Sequence, residues 1–200
     1  IYRALAWQTP KFAHLPLIHG PDGSKLSKRH GAIGVAAYRE MGFLPEAIRN
    51  YLLRLGWSHG DEEIIPTDRA IEWFGLDAIG RSSARIDMKK LENLNGHYLR
   101  DEKDVRLVGL IAPKIEGVLD QKLTTENEDL LFRAMPGLKA RAKDLNELAE
   151  NATFYVRSRP IPLNKKAEKL LSEEGRAHLA KIVARLAEID PWKEDALEAA

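Results

Sequence analysis

The chain has 200 residues, 44% of them hydrophobic, and its 31 lysines and arginines nearly cancel 30 acids for a formal net charge of +1. That is enough apolar material for one large or two small cores, and with no cysteine there is no disulfide framework and no thiolate metal site. No apolar run approaches the roughly eighteen residues of a membrane-spanning helix and no signal-peptide pattern opens the chain, so a soluble, cytoplasmic protein without a membrane partner is expected. The six histidines fall into no ligand spacing, so no metal site is expected.

The charge is uneven along the chain. Residues 1 to 60 carry eight lysines and arginines against three acids, whereas residues 61 to 200 carry 23 against 27. A nucleic-acid partner is favoured near the N-terminal third, with local basic patches elsewhere.

In chain order, Tyr2 to Trp7 reads as the end of a helix broken at Pro10, and His14 to His19 as a short buried strand. Pro21-Asp22-Gly23 is a turn signal. After it, Lys25-Leu26-Ser27-Lys28-Arg29 alternates hydroxyl and cationic groups in a way that suits a polyphosphate, because an ammonium follows moving phosphate charge and a guanidinium offers a planar fork of donors. The glycine spacing of a Walker A loop is not met. Leu44, Ile48, Tyr51, Leu52 and Leu55 follow the helical period, with Gly56 as a stop.

Thr67 or Asp68 is expected to cap a short helix ending at Gly75, and Asp87 to open a helix through Leu99. Trp57, Trp73 and Phe74 are expected in the core. From Asp101 to Leu119, Val108, Ile111, Ile115 and Val118 form an apolar stripe, interrupted by Pro113. Further helices are expected over 125–135, 144–154, 165–174 and 176–189, separated by Pro136-Gly137, Pro160-Ile161-Pro162 and Gly175. A last helix would be capped by Asp190. The fold class is therefore mainly α, a bundle of short helices with a small α/β piece at the N-terminus.

Lys25 to Arg29 resembles the Lys-Met-Ser-Lys-Ser loop of class I aminoacyl-tRNA synthetases, in the form typical of the glutamyl-tRNA synthetase family. Phe12-Ala13-His14-Leu15-Pro16-Leu17-Ile18 is similar to the strand before that loop. Met41 to Ala47 and Asn50 to Ser58 resemble the helix that follows, and Lys89 to Leu99 a helix of the family's stem-contact domain.

The resemblance implies three parts: residues 1–33, the end of a catalytic core; 34–100, a helical stem-contact domain; and 101–200, a truncated helical anticodon-binding domain. It implies ATP-dependent attachment of glutamate to its tRNA through glutamyl-adenylate, with ATP and Mg2+ used by the intact enzyme, which would be a monomer. Lys28 would be the catalytic residue, stabilising charge on the leaving pyrophosphate, and Lys25, Ser27, Lys28 and Arg29 would bind ATP.

Lys89, Lys90 and Asn95 are candidate tRNA contacts. So are two basic windows, Arg133, Lys139, Arg141 and Lys143, then Arg157, Arg159, Lys165 and Lys166. The second window adjoins Phe154 and Tyr155, whose rings would either stack unpaired bases or pack at the core or its rim. The glutamate and adenine pockets would lie upstream, so these 200 residues alone are expected to be inactive in aminoacylation. Two other readings stay open, a non-catalytic helical RNA-binding module and a helical protein-interaction scaffold; salt-dependent tRNA binding separates the second from the rest.

Overall fold

A computed structural model describes residues 1–25 and 34–198. Two short strands, β1 (Ile18–His19) and β2 (Ala84–Arg85), pair in parallel, and helices make up most of the rest. The residues fall into two compact units, 1–157 and 158–200.

In the first unit, α1 (Val35–Glu40) was not legible in the sequence, whereas α2 (Pro45–Arg54) matches the apolar period. Pro45 opens α2, where its missing N–H costs nothing. Next comes α3 (Thr67–Trp73), whose N-cap is Pro66, so neither Thr67 nor Asp68 caps it with a side chain. By contrast α4 (Met88–Asp101) begins as its sequence dictates, with the Asp87 carboxylate accepting from the Lys90 amide at 3.1 Å.

Three helices then pack on one another: α5 (Asp104–Leu119), α6 (Thr125–Lys139) and α7 (Leu145–Val156). Their buried Leu107, Ile111, Ile115, Leu131, Met135 and Leu148 form one core with Leu44 and Ala47 of the α2 region and Leu99 of α4. Packing is therefore continuous from α2 and α4 into α5, α6 and α7. A second cluster, Phe43, Ile48, Tyr51, Leu91 and Leu94, lies between α2 and α4.

Several expectations change. The segment from Tyr2 to Trp7 is a set of turns, not a helix. The strand before the turn is two residues long, and Leu15 and Leu17 are exposed. Trp57 is buried, Trp73 is half-buried and Phe74 is exposed. Val118, at the end of the α5 stripe, is exposed, and Leu107 takes the buried place. The Pro136-Gly137 break is absent: α6 runs through it, held by burial of Leu131, Met135 and Leu138 on one face. Apolar packing outweighs one lost helical hydrogen bond there.

The second unit holds α8 (Lys165–Leu170), α9 (Glu173–Leu186) and α10 (Glu194–Glu198). The break between α8 and α9 lies at Leu171-Ser172, before the expected Gly175, because the Ser172 hydroxyl caps α9 by accepting from the Gly175 amide. Asp190 caps no helix; α10 starts only at Glu194. Among the described residues no helix is long and apolar enough to cross a membrane.

Candidate nucleic-acid and nucleotide interface

The Pro-Asp-Gly turn forms as read. Gly23 donates to the Gly20 carbonyl at 3.0 Å with φ at +80°, a left-handed value that glycine adopts without strain. The Asp22 carboxylate accepts from the Ser24 amide and hydroxyl, and Gly20 donates back to the Ser24 carbonyl. The turn delivers Lys25, exposed and bridged to His19 in antiparallel fashion, to the start of the basic run. Leu26, Ser27, Lys28 and Arg29 lie outside the described residues.

The turn is tied to the helical region through the sheet. His19 is in register with Arg85, and the Ile86 amide donates to the His19 carbonyl at 2.9 Å. A β-carbon at Gly23 would lie 3.3 Å from Arg85 Nη2, so the guanidinium lies against the turn. One residue beyond Ile86, the Asp87 backbone is fixed at both ends by the Tyr51 hydroxyl, which accepts from its amide at 2.7 Å and donates to its carbonyl at 3.1 Å. Burial raises the Tyr51 pKa, so the hydroxyl keeps the proton it donates.

The stem-contact candidates separate sharply. Lys89 and Lys90 are exposed in the first turn of α4, which holds no acid. Cations are disfavoured by the helix dipole at that end, and of the two only Lys90 meets a counter-charge among the described residues, Glu63 at 3.0 Å. Asn95, by contrast, is fully buried: its Oδ1 accepts from the Leu44 amide at 2.8 Å and its Nδ2 donates to the Lys143 carbonyl at 2.6 Å. It is a structural residue with no polar edge left for RNA. Its place was readable, because Leu91, Asn95 and Leu99 share one stripe at four-residue spacing and all three are buried.

In the first basic window, Arg133, Arg141 and Lys143 are exposed. Lys139 is turned inward; its Nζ lies 2.7 Å from Asp104 Oδ1 and donates to the Glu102 carbonyl at 2.8 Å. Its charge joins α6 to the start of α5. Lys139→Gln is expected to lower the thermal midpoint by roughly 2–6 °C while leaving RNA affinity unchanged; a loss of affinity without a loss of stability would contradict this placement.

In the second window Arg157 is half-buried and Arg159, Lys165 and Lys166 are exposed. Phe154 and Tyr155 are 63% and 43% exposed, their rings edge to face at 5.8 Å, so core packing does not account for them.

Sequence reasoning missed Arg54 and Arg85, which line a cavity of about 400 Å³ with Lys90, Glu63 and Asp87. Glu63 Oε1 lies 3.0 Å from both Lys90 Nζ and Arg54 Nη1. Hydrogen bonds from Lys90 and then Arg54 hold the Glu63 carboxyl below its ordinary pKa. Arg54 and Glu63 are 9 positions apart and Glu63 and Arg85 22, so no local motif joins them.

Comparison with known proteins gives this geometry a context. Residues 1–93 match the family "tRNA synthetases class I (E and Q), catalytic domain" and residues 106–200 an anticodon binding domain. The chain is 56% identical over 198 residues to glutamate–tRNA ligase 2 of Rhodospirillum rubrum and 54% identical over 201 residues to that of Zymomonas mobilis, covering 99% and 100% of this chain. It spans 42% of the length of each of these curated relatives. Among solved structures, a glutamate tRNA ligase from Elizabethkingia meningosepticum, crystallised with its amino acid, superposes with a TM-score of 0.75 at 27% identity, over 99% of this chain and 42% of that one.

Proposed function

Because the chain belongs to the glutamate–tRNA ligase family of class I aminoacyl-tRNA synthetases, we propose that it is part of an enzyme that uses ATP to attach glutamate to its tRNA. The single observation that supports this most is 56% identity over an alignment that spans 99% of the chain, the basic loop and the anticodon-type helices included. In this reading the chain contributes the ATP-phosphate loop and tRNA-binding surface, and ATP, glutamate and Mg2+ are bound by the intact enzyme, a cytoplasmic monomer. The three-part division at 33 and 100 belongs to the same reading.

Lys28 is then the catalytic residue, placed to stabilise charge on the departing pyrophosphate, with Lys25, Ser27 and Arg29 holding the phosphates. Lys89, Lys90, Arg133, Arg141, Lys143, Arg157, Arg159, Lys165 and Lys166 are the tRNA-facing cations. Asn95 and Lys139 drop out, being engaged inside the protein.

The test is binding of the 200-residue chain to tRNA for glutamate and to an unrelated tRNA across a salt series, with Lys28→Ala alongside. Cognate-preferring affinity that falls steeply with salt, and changes by no more than about twofold in Lys28→Ala because that lysine serves ATP chemistry, is the expected result. Absence of tRNA binding at low salt would overturn the reading.

A further inference from the structure

The cavity beside the turn is built by successive residues of α2. Asn50 is buried, donates to the Glu63 carbonyl at 3.1 Å and accepts from the Ile65 amide at 2.8 Å, which fixes the 63–65 segment as one wall. The Tyr98 hydroxyl donates to the same Asn50 oxygen at 2.9 Å. Tyr51 fixes Asp87 as another wall. Arg54, the next α2 residue to face this side, lines the cavity with its Nη1 shut off from solvent and 3.0 Å from Glu63 Oε1.

Three cations from three elements thus line one concavity: Arg54 from α2, Arg85 from β2 and Lys90 from α4. Two acids accompany them. Asp87 is committed to capping α4, but Glu63 has a side chain 62% exposed and only its carboxylate holds it in place, with one oxygen 3.0 Å from both Lys90 and Arg54. A single anionic oxygen shared by an ammonium and a guanidinium is the arrangement a phosphate oxygen adopts. The cavity, at about 400 Å³, has room for a phosphodiester and its water once the Glu63 side chain swings out.

We propose that Arg54, Arg85 and Lys90 form a pocket for one backbone phosphate of the tRNA, and that Glu63 fills it as an internal stand-in which the phosphate displaces. The assignment rests on the tRNA-binding reading above and adds to it a site and a built-in competitor. Arg85 gives the pocket its position, since its guanidinium also lies against Gly23 at the turn leading to the basic loop.

The sign of one substitution carries the test. A clasp that merely stabilises the fold would bind RNA no better when broken, whereas a displaceable stand-in would. Glu63→Gln keeps the shape and removes the competing charge, so the 200-residue chain should bind tRNA for glutamate about three- to tenfold more tightly. Glu72→Gln, on α3 and paired with Arg69 outside the cavity, controls for net charge and should change affinity by less than about 1.5-fold. Arg85→Gln should weaken binding about fivefold and lower the slope of log affinity against log salt by about one.

If the wild-type chain binds tRNA and Glu63→Gln does not bind more tightly, or gains no more than Glu72→Gln, the stand-in is refuted while the family reading survives. If the wild-type chain binds no tRNA at low salt, both fall. Repeating the titration with ATP separates the two phosphate sources: tighter ATP binding by Glu63→Gln without a gain for tRNA would overturn the RNA assignment.

Discussion

Exchanging Asn95 for leucine is expected to lower the unfolding free energy by about 3 kcal/mol, the larger of two losses centred on one seam. Leucine conserves the volume and suits the Leu91–Leu99 stripe, so no cavity adds to the cost. What disappears is the acceptor for the Leu44 amide and the donor to the Lys143 carbonyl. The first is buried at the mouth of α2, where an unpaired amide costs its full desolvation. For a unit of this size the loss corresponds to a fall of roughly 6–12 °C in the melting temperature. Urea denaturation reads it directly, and a change below about 1 kcal/mol would show that water enters the seam and repairs the bonds.

Gly42→Ala should cost nearly as much, about 2–3 kcal/mol, for a different reason. Gly42 has φ at +87°, and a β-carbon there would lie 2.9 Å from the amide nitrogens of both Leu145 and Asn146 and 3.1 Å from Asp144 Oδ1. The Gly42 carbonyl meanwhile accepts from the Leu145 amide at 2.9 Å. An added methyl group must push α7 away from the bond that holds it. Gly60→Ala isolates the conformational part, because Gly60 has φ at +54° and nothing within 4 Å of the added carbon; about 1 kcal/mol is expected there. Equal losses at the two sites would mean that the close approach at Gly42 relaxes freely.

The sequence was most legible where a local rule suffices. Asp87 caps α4, and the apolar period of α2 marks its helix although Leu52 is exposed, since cap chemistry and periodicity act within a few residues. It was least legible where distant packing decides. Pro136-Gly137 carries a breaker signal, yet three buried residues on the opposite face carry α6 past it. Phe74, Leu15 and Leu17 are apolar yet exposed, because hydrophobicity says nothing about which neighbour arrives to cover a side chain.

The same division runs through the candidate site. The lysine loop is recognisable as a linear motif. The Arg54–Glu63–Arg85–Lys90 pocket is not, because helix α2, a loop, a strand and helix α4 must first meet. Asn95 shows the converse error: a polar residue reads as surface until its flanking leucines are seen to place it on the buried stripe.

The seam joining Glu40, Gly42 and Leu44 to the start of α7 is made of neutral amides. Asn146 donates to the Glu40 carbonyl, Leu145 to Gly42, and Asn95 bridges Leu44 and Lys143. Dissolved ions screen charges but have little purchase on such bonds. These four bonds carry no net charge, unlike the Arg106–Glu46 pair that also ties α5 to α2, so ionic strength that strips RNA from the cationic surface leaves them in place. Added salt therefore weakens the contact with RNA while these four bonds persist.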